Sequence, residues 1–171
     1  GFEESCGYLA GGYVRDKDAV DASMLICEMA AYYKKQGKTL ADVLFGLYEK
    51  YGMHLNTQSS FTCEGASGME RMREIMEDLR KNAPDEICGK KVLWMSDYQA
   101  SVKKSAAGQQ PIHLPRSNVV EYGLEGDNVI VVRPSGTEPK IKTYFTTLGK
   151  DLADAQAQKD ALAAAIEPIL K

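Results

Sequence analysis

Two short segments of this chain are hard to place anywhere but side by side in a sheet. Asn128-Val-Ile-Val-Val132 is an apolar, β-branched run, and Lys140-Ile-Lys-Thr-Tyr-Phe-Thr146 alternates as a half-buried strand does. Between them runs the loop Arg133-Pro-Ser-Gly-Thr-Glu-Pro-Lys140, which gathers hydroxyls, a glycine and two cations. Pro134 and Pro139 restrict the backbone at either end, and Gly136 permits close approach to an anion or a positive φ. Arg133 offers a planar fork to two phosphate oxygens. Ser135, Thr137 and the loop amides are expected to donate to the others, and Lys140 adds charge. Each charge-assisted bond of this kind contributes about 1.5–3 kcal/mol. An ordinary polar turn is the plainer reading of the loop alone.

The other elements follow from periodicity and punctuation. Asp18 to Lys35 reads as a largely apolar helix whose Val20, Met24, Leu25, Cys27, Met29 and Ala31 cover more than one face, so it is expected to be buried. Thr39 with Asp42 caps a second helix carrying Leu40, Val43, Leu44, Leu47, Tyr48 and Tyr51 as one stripe, and Gly52 stops it. Gly37-Lys-Thr39 is not the end of a P-loop, because Tyr32 stands where the first glycine is required and a helix precedes it. From Met53 to Glu64 the chain reads as a linker and strand, and the domain boundary is placed there, giving domains 1–52 and 53–171. Ser67 and Glu70 make a capping box for a helix ending near Asn82, with Met69, Met72, Met76 and Leu79 on its core face.

Strands are expected at Val92–Met95, with Trp94 in the core, and at Val119–Tyr122, Asn128–Val132 and Ile141–Thr147. Glu125-Gly-Asp127 makes a hairpin turn, Gly108 to Pro115 forms a loop, and a last helix spans Leu152–Ile169. The sum is an α+β fold: a C-terminal antiparallel sheet covered by two helices, preceded by the helical remnant of an α/β domain.

Hydrophobic residues are 44% of the chain, enough for a real core, and the net charge of −3 gives no general basic surface for nucleic acid or an anionic membrane. Phosphate would have to be met locally. Cys6, Cys27, Cys63 and Cys88 show neither a C-x-x-C pair nor metal-ligand spacing, so reduced thiols in a cytoplasmic setting are expected. No transmembrane stretch is visible. His54 and His113 match no motif and are read as surface or packing residues.

Near the start stand Gly1-Phe-Glu-Glu-Ser-Cys-Gly-Tyr8 and Arg15-Asp-Lys-Asp18. With the 133–140 loop these stretches resemble the α-D-phosphohexomutase family, in its phosphoglucomutase/phosphomannomutase branch, along the whole chain. The resemblance implies that residues 1–52 are the end of domain 3 with its sugar-recognition loop, and that 53–171 form domain 4, with a TATA-box-binding-protein-like fold. It assigns sugar contacts to Glu3 and Ser5 and a substrate-phosphate cation to Lys17, with Arg15 a weaker one. Phosphate contacts fall to Arg133, Ser135, Gly136, Thr137 and Lys140. Two departures leave the hexose preference open: Cys6 stands where many members carry a bulky residue, and Gly12 loosens the sugar loop.

The family's phosphoserine loop and its aspartate-glycine magnesium loop do not occur here, so neither catalytic nor metal-binding residues are expected in this chain. It is read as a C-terminal fragment, inactive alone, of an isomerase of carbohydrate metabolism that interconverts hexose 1-phosphate and hexose 6-phosphate through a bisphosphate. The resemblance implies Mg2+ and glucose 1,6-bisphosphate as cofactors of the parent, and a hexose phosphate and the missing N-terminal domains as partners. The 52–60 segment is expected to let the last domain rotate over substrate. Alternatives are a phosphopentomutase, a phosphoglucosamine mutase, or a phosphate-binding module without chemistry.

Overall fold

The computed structural model describes residues 1–3, 6–65 and 67–170, which form two units, Gly1–Tyr51 and a second that begins at Gly52. In the first unit, strands β1 (Phe2–Glu3) and β2 (Gly7–Tyr8) pair antiparallel ahead of helices α1 (Ala19–Lys34) and α2 (Leu40–Tyr51). Asp18 caps α1, its carboxylate accepting from the amides of Val20 at 2.9 Å and Asp21 at 3.2 Å. Thr39 and Asp42 cap α2 reciprocally: the Asp42 amide donates to the Thr39 hydroxyl at 3.1 Å, and the Asp42 carboxylate accepts from the Thr39 amide at 2.8 Å. Gly52, at φ 96°, ends α2 as its sequence position requires.

Contrary to expectation, α1 is not buried: Ala22 is its one buried residue, while Val20, Met24, Leu25, Ile26, Met29 and Tyr32 are exposed. An apolar helix is covered only where a second layer packs on it, and within this unit the packing on α1 buries Ala22 alone among its residues.

The second unit holds β3 (Met53–Thr62), α3 (Gly68–Lys81), β4 (Glu86–Ile87), β5 (Lys90–Asp97), β6 (Val102–Ser105) and β7 (Gly108–Pro111). It continues with β8 (Val120–Leu124), β9 (Asn128–Pro134), β10 (Lys140–Gly149), α4 (Leu152–Ile166) and a 3-10 turn over Glu167–Leu170. The strands order as β3-β10-β9-β8-β5-β6-β7, with β4 paired to β5, and every pairing is antiparallel. Ile130 and Val132 of β9, Ile141 and Phe145 of β10, and Val120 and Tyr122 of β8 turn to one face. There they pack with Met72, Ile75, Met76 and Leu79 of α3 and Leu162 and Ile166 of α4. This is an α+β architecture with both helices on one side of the sheet.

Four expectations are corrected. Residues 53–62 are not a linker: they form a ten-residue edge strand paired with β10 along its length, from Met53↔Gly149 to Thr62↔Lys140, and Gly52 alone separates α2 from β3. Ser67 is not a side-chain cap. Its φ of −90° and ψ of 6° lie outside the extended cap geometry, and its backbone carbonyl instead accepts from the amides of Glu70 and Arg71, both at 2.9 Å. The stretch expected as a loop begins with strand β7, which pairs antiparallel with β6 and opens on Gly108 at φ 109°. Trp94 is half-buried rather than core. Its ring lies against Gly123, where a Cβ would clash with it, and the Lys103 ammonium sits 3.7 Å from the ring centroid on the helix-free face.

Candidate functional site

The loop after β9 is a short, internally wired turn. The Ser135 amide donates to the Lys140 carbonyl at 2.7 Å, and the Lys140 amide donates to the Glu138 carbonyl at 2.7 Å. The Ser135 hydroxyl accepts from the amides of Thr137 at 3.3 Å and Glu138 at 3.2 Å. The amides of 135, 137, 138 and 140 are therefore engaged inside the loop rather than open to an anion, contrary to expectation. Gly136 keeps the loop amide that has no partner among the described residues. It does not use a positive φ, and a Cβ built there meets nothing within 4 Å, so the space above it is open.

Sheet alternation orients the charges. Because Ile130 and Val132 face the helices, Arg133 projects from the other face, where it is exposed and makes no ion pair or side-chain hydrogen bond among the described residues. Lys140 shares that face, its ammonium 3.7 Å from the Glu138 carboxylate. So does Lys142, which stands opposite Arg133 in the ladder. Lys142 was overlooked as a site residue, although the period-2 pattern from Lys140 onward carried the signal. The structure brings Arg133, Ser135, Gly136, Thr137 and Lys140 together around one turn.

In the first unit, the β1–β2 hairpin is tied at both ends. The Gly1 ammonium donates to the Leu9 carbonyl at 2.7 Å, and the Asp18 amide donates to the Tyr8 carbonyl at 3.0 Å. That second bond carries the Arg15–Asp18 turn against the hairpin and places the Lys17 ammonium 3.8 Å from Glu3 and 3.2 Å from Asp16. Asp16, by hydrogen bond and by charge, and then Glu3 hold the Lys17 ammonium above its ordinary pKa. Glu3 and Lys17 line a hollow of about 190 Å³ with Gly1, Phe2, Gly7 and Leu9.

Gly7 is the residue that sequence reasoning passed over. A Cβ there would stand 2.6 Å from the Glu3 carboxylate and 2.7 Å from the Lys17 side chain, so any larger residue would push these two side chains from their present places. Cys6 holds φ 61° in the same turn. Ser5 lies outside the described residues.

Among the described residues, no group of three or more His, Cys, Asp or Glu side chains could hold a metal ion, and no helix is long and apolar enough to cross a membrane. The described cysteines are free thiols.

Comparison with known proteins places both units. Residues 1–51 match the family model for phosphoglucomutase/phosphomannomutase, alpha/beta/alpha domain III, and residues 71–165 match the model for the C-terminal domain of the same family. A phosphoglucomutase of Staphylococcus aureus (strain MRSA252) is 41% identical over 165 residues, covering 94% of this chain and 29% of the relative. A phosphoglucomutase of Staphylococcus haemolyticus is 39% identical over 147 residues, covering 85% of this chain and 27% of the relative. The open form of the Paramecium exocytosis-sensitive phosphoprotein pp63/parafusin superposes with a TM-score of 0.59 at 17% identity, over 98% of this chain and 28% of that one. This chain thus spans less than a third of the relatives it matches, and it belongs to the phosphoglucomutase/phosphomannomutase family.

Proposed function

We propose that this chain supplies the sugar- and phosphate-recognition part of an enzyme that moves a phosphoryl group between the 1- and 6-positions of a hexose. The observation that carries the reading is Arg133: exposed, without an ion-pair partner among the described residues, and fixed at the mouth of a turn that already satisfies most of its own amides. Such a turn loses little freedom on binding. Arg133 engages two phosphate oxygens through its fork. Lys140 and Lys142 add positive potential on the same face, and the hydroxyls of Ser135 and Thr137 donate to what remains.

In the full reaction a phosphoserine outside this chain gives its phosphoryl group to the sugar phosphate. The resulting bisphosphate turns over in the site, and the other phosphate returns to the serine. The 133–140 loop holds the phosphate not in transfer, so its binding energy orients the sugar and brings the reacting oxygen into line. Glu3, Ser5 and Lys17 read sugar hydroxyls and charge at positions common to both orientations. The aspartate-glycine loop with which the family holds magnesium does not occur in this sequence, so under this proposal that metal is left to other parts of the enzyme.

Arg133→Ala in the intact enzyme is expected to lower kcat/KM by about 10²-fold in both directions, the equivalent of one bidentate contact. Steady-state rates with hexose 1-phosphate and with hexose 6-phosphate check this. A loss confined to one of them would contradict the proposed role. The 171-residue chain alone is expected to be inert, binding phosphate at about millimolar Kd or weaker.

A further inference from the structure

Arg80, near the end of α3, spends its guanidinium on three acceptors at once. Its Nε donates to Asp97 Oδ1 at 3.1 Å, its Nη1 to the Met76 carbonyl at 3.0 Å, and its Nη2 to Asn118 Oδ1. The Arg80 and Asp97 side chains keep 14% and 11% of their exposure. A pair this enclosed is a poor source of stability, because desolvation offsets most of the attraction and well-packed apolar residues would serve as well. What it does supply is a fixed geometry.

The residues it fixes lie beside the phosphate loop. The same Asp97 oxygen accepts from the amides of Gln99 at 3.0 Å and Ala100 at 3.2 Å, which sets the turn after β5. In that turn the Tyr98 amide donates to the Val119 carbonyl at 3.1 Å, and Asn118 leads into the same strand end. Asp97 pairs with Val120, and Val120 pairs with Val132, the residue before Arg133. The Tyr122 hydroxyl, donating to the Leu79 carbonyl at 2.6 Å, holds the end of α3 to the same strand. The ends of β5, β8 and β9 are thus registered to one another, and Arg80 ties α3 to the end of β5 and to the segment that leads into β8, alongside the Tyr122 bond.

We propose that Arg80 is a positioning residue for the phosphate grip, acting through Asp97 and Asn118 on the strand ends from which Arg133 projects. The proposal rests on the reading of the 133–140 loop as a phosphate site. The double variant Arg80→Met/Asp97→Asn removes both charges while keeping an acceptor for the Gln99 and Ala100 amides.

The test is an amide NMR titration of the 171-residue chain with inorganic phosphate, on wild type, Arg133→Ala and the double variant, with thermal midpoints measured in parallel. The expected result is that wild type binds through residues 133–140, Arg133→Ala loses binding, and the double variant keeps its midpoint while binding about tenfold more weakly. Its ligand-free shifts should reach beyond the surroundings of the substituted residues, in α3, 97–100 and 117–119, to residues 133–139. A folded double variant with wild-type affinity and an unmoved 133–139 loop would overturn the positioning role while leaving the grip intact. Unchanged binding by Arg133→Ala would instead overturn the grip, and the positioning role with it. If the double variant does not fold, Arg80→Lys gives the same reading, because it keeps the charge but cannot reach three acceptors. Weakened phosphate binding in that variant supports the proposal, and wild-type binding refutes it.

Discussion

The two units of this chain solve the burial problem to different degrees. The second closes a core in which Tyr122, Phe145, Leu124, Ile130, Ile141, Leu162 and Ile166 are almost wholly inaccessible. The first buries Ala22 in α1 and no residue of α2, while Phe45, Leu47 and Tyr51 stay at about half exposure or more. Both units have well-made local structure: capped helices, glycines at the turns, and a hairpin bonded at its ends. Local signals therefore suffice to form elements, and only a second layer turns elements into a core. The 133–140 loop stands on the unit that has one, and the Glu3–Lys17 pair stands on the unit that does not.

The sharpest way to break this contrast is at Phe145, 1% exposed on β10 beside the β3 edge strand. Phe145→Ala is expected to cost about 3–5 kcal/mol, read from the denaturant midpoint of the second unit. A loss below about 1 kcal/mol would mean that the packed core is not what holds that unit.

Next in size is a pH effect on the second unit. Burial, then the hydrogen bond to Glu121, pushes the Tyr98 hydroxyl up to about 12, and burial pushes Tyr122 up as well. Above pH 10 the unfolded tyrosines ionise while the folded ones keep their protons. The native state then binds more protons, and stability falls as pH rises from 10 toward 12. Thermal scans of the second unit should show that fall. Tyr98→Phe should flatten it, and a slope unchanged by Tyr98→Phe would assign the effect elsewhere.

The smallest effect sharpens the contrast from the other side. Phe45→Ala, at a residue 59% exposed in α2, should change stability by no more than about 0.5 kcal/mol. A cost near that of Phe145→Ala would show that α2 is covered in solution.

How much of this was legible in sequence depended on the range of the signal. The β9–β10 pair and its loop could be read because β-branched runs, alternation and two prolines act over a few residues. The α2 capping box was legible for the same reason, since Thr39 and Asp42 are three apart. The exposure of α1 was not, because an apolar pattern states what would gain from burial and not whether a layer is present to provide it. Ser67 misled because capping needs an extended backbone, and the chain there is drawn in where Gly68 closes on the Cys63 carbonyl. Trp94 misled because the β5–β8 register shifts between Val92 and Trp94, and a shift of one residue exchanges the faces of a strand. Gly108–Pro111 is polar, short and ends in proline, so nothing in its composition distinguishes an edge hairpin from a loop.

In the site itself, the clustering of Arg133 to Lys140 followed from adjacency, and Lys142 from alternation once the face of Lys140 was known. The fit of Gly7 between Glu3 and Lys17 depends on two turns meeting, which no local window contains.

The Ser135 hydroxyl carries one last consequence. Both of its acceptor positions are taken by the amides of Thr137 and Glu138, while its single hydrogen remains to be given away. An unprotonated phosphate oxygen can only accept. The Ser135 hydrogen is thus available to an acceptor from outside the loop without either amide being released. Under the proposed phosphate role, binding there would require no prior unwinding of the loop.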